Sequence, residues 1–241
     1  EKFVKEGHTQ AKYHPISRPA AAEAEAVNRF LYLAESAGEA PVYVVHLSSK
    51  QGLMEVRRAK RRGQKHFGVE TCPQYLLMDD SLYSLPGMEA AKYVCAPPLR
   101  KKEDSQCLWN ALADGTIQTV STDHCSFTTE QKKLGEGDFT KIPGGMPGAE
   151  TRGTLIYTYG VDKGRITKED MCRVLSENPA KLYGLYPRKG VIAPGSDADL
   201  VIMRTGVEDV ITAKDQVQNV DYAPFEGTQV TGRIEQVFLR G

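Results

Sequence analysis

Thr119-Val120-Ser121-Thr122-Asp123-His124 reads as a short buried strand that ends in a carboxylate. Its β-branched residues, Thr119, Val120 and Thr122, favour an extended backbone packed on both faces. Asp123 closes the run, and a polar loop with glycines follows. In a barrel of parallel strands, reacting groups gather where strands end and βα-loops begin. An aspartate at a strand end also serves to cap a helix or satisfy a turn. A second stretch makes the functional reading worth pursuing. Pro41-Val42-Tyr43-Val44-Val45-His46-Leu47-Ser48-Ser49 is another apolar strand, and it ends in an imidazole that is able to bind a metal.

Working outward, Ala20 to Ala37 is expected to be a helix after Arg18-Pro19, with Val27, Phe30, Leu31 and Ala34 in one apolar stripe and Gly38 at its exit. Gln51 to Arg62 predicts a basic helix that ends at Gly63. Phe67 to Cys72 is extended and stopped by Pro73. A loop of turn residues then runs to Gly87, and Tyr93 to Arg100 is a short extended piece held by two prolines. Glu103 to Ala113 is a helix, and Ile117 to Thr122 is the opening strand. This strand–helix–strand–helix–strand order argues for parallel βα units.

Residues 125–148 have no periodicity and many glycines, as functional or disordered loops do. Glu150 to Tyr159 predicts a helix. Thr167-Lys168-Glu169-Asp170 is a capping sequence with Asp in the place of Glu or Gln. Asn178-Pro179 opens a short helix that ends at Gly184. After Lys189 the pattern becomes turn and strand, with strands predicted through Leu200–Met203, at Val207–Ile211 and at Thr228–Leu239.

The 241 residues allow one large domain, or one and a half, at about 150 residues each. Lys plus Arg is 31 and Asp plus Glu is 31, so no basic field favours nucleic acid. No apolar run approaches the roughly 20 residues of a membrane helix. Five cysteines without CxxC spacing, in apparent core segments, read as reduced thiols of a cytoplasmic protein and as packing groups. The chain opens at Glu1 without a methionine and stops at Gly241 just after strand-like residues. It is expected to be a fragment cut at both ends.

His46 and Asp123 stand at the C-terminal ends of predicted parallel strands, and both are ordinary zinc ligands. Two ligands do not hold a catalytic zinc, which uses at least three from protein. The other reading is a core histidine and a turn-capping carboxylate. Ser48-Ser49 serve as turn residues or bond their loop. His14 reads as a surface histidine, with reach to a site as the second reading. His66 is structural, and His124 either lines a pocket or does not. Asp197 and Asp199 fit turn chemistry better than cation binding.

Together, Val45-His46-Leu47-Ser48-Ser49, Glu70-Thr71-Cys72-Pro73-Gln74-Tyr75-Leu76, Ala96-Pro97-Pro98-Leu99-Arg100, Ser121-Thr122-Asp123-His124 and Asn178-Pro179-Ala180-Lys181 resemble the cyclic amidohydrolases. Lys189-Gly190 through Ile202, with Tyr13-His14, Ser17-Arg18-Pro19, Glu23 and Glu25, narrows the resemblance to the dihydropyrimidinase/D-hydantoinase branch. It implies an α/β fold: residues 1–188 as the C-terminal portion of a (β/α)8 barrel, and 189–241 as part of a small β-sandwich.

The family's site holds two zinc ions bridged by a carboxylated lysine. By resemblance His46 is a metal ligand from the sixth strand. Asp123 is the eighth-strand ligand and the catalytic group that takes the proton from the bridging water. The other histidine ligands, that lysine and an oxyanion-stabilising tyrosine are expected before Glu1, so the isolated chain is expected to be inactive, to bind zinc poorly and to dissolve poorly. Ala96 and Gly144 are implied as substrate-binding, largely through backbone groups. They replace the serine and asparagine usual there, which leaves room for a hydantoin with a larger 5-substituent.

The implied reaction opens a dihydropyrimidine or 5-substituted hydantoin to an N-carbamoyl amino acid, in a cytoplasmic homotetramer that acts on a small cyclic ureide without nucleic acid or membrane. Two alternatives stand beside it. One is a non-catalytic relative that uses the barrel for assembly and partner binding; the other is a sister enzyme, allantoinase or dihydroorotase.

Overall fold

The computed structural model describes residues 2–241; Glu1, the first residue of the predicted barrel portion, lies outside them. Helix α1 (Ala20–Ser36) turns Val27, Leu31 and Ala34 inward, whereas Phe30 of the predicted stripe is 42% exposed along an open cleft. The chain continues through β1 (Val42–Val44), α2 (Lys50–Arg62), β2 (Phe67–Thr71), α3 (Lys102–Ala113) and β3 (Thr119–Val120). The three strands form a parallel sheet in the order β1-β2-β3, with Val44 opposite Val69 and Thr71 opposite Val120. The predicted alternation is therefore present, with helical crossovers between parallel neighbours.

Local chemistry accounts for α2. The Ser49 hydroxyl accepts the Gly52 amide at 3.0 Å and caps the first turn. Leu53, Val56 and Ala59 face the core. Lys60, Arg61 and Arg62 sit at the negative end of the helix dipole, and Gly63 leaves the helix with φ +94°, a left-handed turn that favours glycine. Ser49→Ala is expected to cost about 1 kcal/mol, measured by urea unfolding. No change in the midpoint would show that the cap contributes nothing.

Several predicted boundaries move. The extended run around β3 pairs only at Thr119–Val120, although Gln118 and Ser121 amides also donate to Val69 and Thr71 carbonyls at 3.1 and 3.0 Å. Among the described residues β3 pairs on one side only, with β2. The segment after Pro73 is no simple loop: Pro73–Leu77 is a buried helical turn, followed by the 3-10 turns Asp80–Ser84 and Gly87–Tyr93. Beyond Tyr93 the chain is irregular, because Pro97 and Pro98 have no N–H to donate to a sheet. The predicted helix at 150 starts at Arg152 and widens into a π-helical turn over Tyr157–Asp162. The unpatterned 125–148 segment contains the short helix Thr129–Lys132. Thr167 and Asp170 form the predicted reciprocal cap, at 3.0 and 2.9 Å.

The two strands predicted around 200–211 are one, β4 (Leu200–Val210), with an irregularity between Thr205 and Asp209, and it pairs antiparallel with β5 (Gln229–Phe238). Lys189 forms ion pairs with Asp197 and Asp199 beside β4, which accounts for both carboxylates. The core joins the sheet to its helices through Leu31, Leu53, Val69, Leu108 and Trp109, whose indole N–H donates to the Leu76 carbonyl at 3.0 Å. Cys72 and Cys95 are buried, as packing groups are, but Cys125 and Cys172 are exposed because they lie on irregular or outward-facing backbone. Among the described residues no helix is long and apolar enough to cross a membrane.

Candidate active site at the strand ends

β1 delivers His46 and β3 delivers Asp123 at the same end of the parallel sheet. One strand separates them, so their parent strands run about 10 Å apart at the usual spacing. Both residues have a left-handed backbone, with φ +40° at His46 and φ +48° at Asp123. That conformation costs roughly 1–2 kcal/mol in a residue with a Cβ, and such strain collects at functional positions. The turn at His46 is braced from β2: its amide donates to Glu70 Oε1 at 3.4 Å. Glu70 Oε2 accepts the Tyr43 hydroxyl at 2.7 Å, and Tyr43 also contacts the Thr119 hydroxyl at 2.5 Å. A single polar network thus spans all three strands below His46. Burial, with Glu70 adjacent, pushes the Tyr43 phenol well above its ordinary value, so Tyr43 is a neutral donor.

A cleft of about 710 Å³ opens beside His46, lined also by Arg18, Glu23, Ala96, Pro98 and Arg100. A chain of polar contacts forms one side of it. Ser48 donates from both its amide and its hydroxyl to Glu23 Oε1, at 2.8 Å each. Arg100 donates to the Ser48 hydroxyl at 3.0 Å and to the Arg18 carbonyl at 2.6 Å. Arg18 reaches His14 Nδ1 at 3.3 Å, and His14 Nε2 meets the Cys95 carbonyl at 2.7 Å. His14 is therefore no surface histidine but is 4% exposed, because a carbonyl 81 residues away completes its bonding. Burial pulls its pKa down to about 4, so the ring is neutral and donates from Nε2. Ser48 bonds this network, and Ser49 caps α2.

Ala96 shares the cleft with His46, and both it and Gly144 are exposed. Among the described residues, the amide N–H and carbonyl of neither Ala96 nor Gly144 enter a hydrogen bond, whereas their neighbours are occupied. Val94 O accepts the Gly145 amide at 2.9 Å, Cys95 O faces His14, and Pro97 O accepts the Tyr75 hydroxyl. A Cβ at Gly144 would meet nothing within 4 Å, while at Gly145 it would strike the Cys125 carbonyl at 2.4 Å. His124 is exposed; its Nδ1 accepts the Gly148 and Ala149 amides at 3.1 and 3.2 Å, which ties the 143–149 loop to the residue after Asp123. His66 is exposed near the opposite end of β2.

The donor set suits a divalent metal in kind but not in number. Among the described residues no three His, Cys, Asp or Glu side chains are grouped to hold an ion. Cys72 and Cys95 are buried, and burial pushes both thiols up, Cys95 to about 12. His46 and Asp123 by themselves are short of a metal centre.

The chain belongs to the amidohydrolase family, whose model matches residues 1–241. Enzymes of that family are generally metal-dependent. Within the family the similarity is to hydantoinases. The chain is 48% identical over 242 residues to a D-hydantoinase of Geobacillus stearothermophilus, covering 100% of this chain and 51% of that protein. It is 42% identical over 240 residues to a D-phenylhydantoinase of Escherichia coli, covering 99% and 51%. Its structure matches D-hydantoinase from a Bacillus sp. with a TM-score of 0.97 at 45% identity, over 100% of this chain and 52% of that one. The fold is accordingly part of the hydantoinase barrel. The chain spans about half the length of the curated relatives it matches.

Two elements escaped local reading. The Glu23–Ser48–Arg100–Arg18–His14 chain joins residues far apart in sequence, which no local pattern brings together. Lys132 stood in an unpatterned loop but is 1% exposed.

Proposed function

We propose that the full-length protein containing this chain hydrolyses a cyclic ureide, opening a dihydropyrimidine or 5-substituted hydantoin to an N-carbamoyl amino acid. His46 and Asp123 are two ligands of a zinc centre whose remaining ligands come from outside these residues. The observation that carries the reading is their shared left-handed backbone at the ends of β1 and β3. The hydantoinase relatives support the reaction class. Bound zinc supplies Lewis-acid activation of water at neutral pH. Asp123 accepts a proton from the attacking water and returns it to the ring nitrogen as the carbon–nitrogen bond breaks and a carbon–oxygen bond forms. The free amides of Ala96 and Gly144 bind the ring's amide edge, and the open space at Gly144 accommodates a bulky 5-substituent. The isolated 241 residues are inactive and bind zinc poorly. The whole protein works as a cytoplasmic homotetramer on small molecules, with no nucleic acid or membrane partner.

Steady-state assays of the full-length enzyme on dihydrouracil, 5-substituted hydantoins and allantoin test this. Activity is expected on a 5-aryl hydantoin above the others, lost after chelation and restored by zinc. Failure to open any of these rings with zinc present overturns the assignment and leaves the non-catalytic reading.

A further inference from the structure

Lys132 ends the short helix Thr129–Lys132, where a lysine ordinarily extends into water. Here it is 1% exposed. Its Nζ donates to Val94 O at 3.0 Å, Pro143 O at 2.7 Å and Gly145 O at 2.7 Å. An ammonium has three N–H donors, so all are spent on main-chain carbonyls and none on a carboxylate. The Phe127 ring, with its centroid 5.5 Å away, covers the charge. Burying a cation is costly, and a methionine would fill the same volume without that cost. Packing alone therefore does not explain a lysine here.

The position of the three acceptors is informative. Pro143 and Gly145 flank Gly144, and Val94 lies two residues before Ala96. Ala96, which lines the cleft, and the exposed Gly144 are the residues of these two segments whose amide N–H and carbonyl have no partner among the described residues. The Gly145 amide adds a fourth link, to Val94 O at 2.9 Å. With neighbouring carbonyls consumed from behind, Ala96 and Gly144 have no internal partner left and are held ready for an external one. Burial lowers the Lys132 pKa only to about 8, so the tripod remains charged at neutral pH.

We propose that Lys132 is a positioning residue for substrate: it clamps the 94–96 and 143–145 segments together so that their free amides present one edge matched to the cyclic ureide. This rests on the hydrolase reading above. It acts on ring binding and leaves the reacting groups at His46 and Asp123 untouched.

The test uses the full-length enzyme with Lys132→Met and Lys132→Arg. KM for a 5-substituted hydantoin is expected to rise about tenfold or more in Lys132→Met, with kcat within about threefold of wild type and bound zinc unchanged. Lys132→Arg keeps the charge but has a planar fork in place of a tripod, and its KM is expected to rise less. Amide hydrogen exchange in peptides covering 94–97 and 143–146 is expected to accelerate while the rest of the chain keeps its protection. An unchanged KM in a folded variant overturns the proposal, as does a kcat loss that tracks zinc loss. If Lys132→Met does not fold, Lys132→Arg carries the same comparison. A wild-type enzyme that opens no ureide defeats the hydrolase reading instead; the exchange measurement then still reports whether the clamp exists.

Discussion

Asp123→Asn in the full-length enzyme is expected to lower kcat for ring opening by about a thousandfold, since positioned proton transfer contributes roughly 10²–10⁴. The amide nearly matches the carboxylate in shape, so the left-handed turn at φ +48° survives and packing is undisturbed. It does not accept a proton, and it is a weaker metal ligand. Measuring zinc content beside kcat separates the two losses. An Asp123→Asn enzyme that retains full zinc and a thousandfold lower kcat assigns the proton transfer to Asp123. One that keeps more than about a tenth of wild-type kcat removes Asp123 from the mechanism. His46→Ala is expected to act through the metal instead, with zinc occupancy falling in step with activity.

The second large effect concerns stability against acid. In the unfolded chain His14 takes up a proton as pH falls through its ordinary value of 6.5; in the fold it does so only near 4. Burial is the main cause, and the Arg18 charge adds to it, while the bond to Cys95 O opposes it. Between those two values the unfolded state holds more protons, so stability rises with pH across the window and is level above it. The span corresponds to about 3 kcal/mol lost on acidification from pH 6.5 to 4. Urea unfolding of the intact protein at stepped pH reads this directly. His14→Gln, which keeps a donor for Cys95 O and has no titrating ring, is expected to lack that portion of the slope. Equal slopes in the two proteins would assign the acid sensitivity elsewhere.

Local physics made much of the architecture readable. The β-branched run before Asp123, the apolar face Leu53–Val56–Ala59, the cap at Ser49 and the reciprocal cap at Thr167 all depend on residues within a few positions of one another. Such signals survive any tertiary context that leaves the segment intact. His46 and Asp123 were legible as the polar residues that end two apolar strands. Errors gathered where no period exists. Pro73–Leu77 is too short to show a helical repeat, and the split strand prediction around Gly206 came from an irregularity in β4.

The sequence by itself determined the parallel βα order, the strand-end histidine and aspartate, and the separate β segment at the end, because these follow from side-chain sterics and hydrophobic spacing. Only the tertiary structure decided that His14 and Lys132 are interior and that Ala96 and Gly144 keep their amides free. Those outcomes depend on carbonyls 81 and 38 residues away. A buried polar group takes its role from whatever partner folding brings to it, and no local pattern specifies that partner.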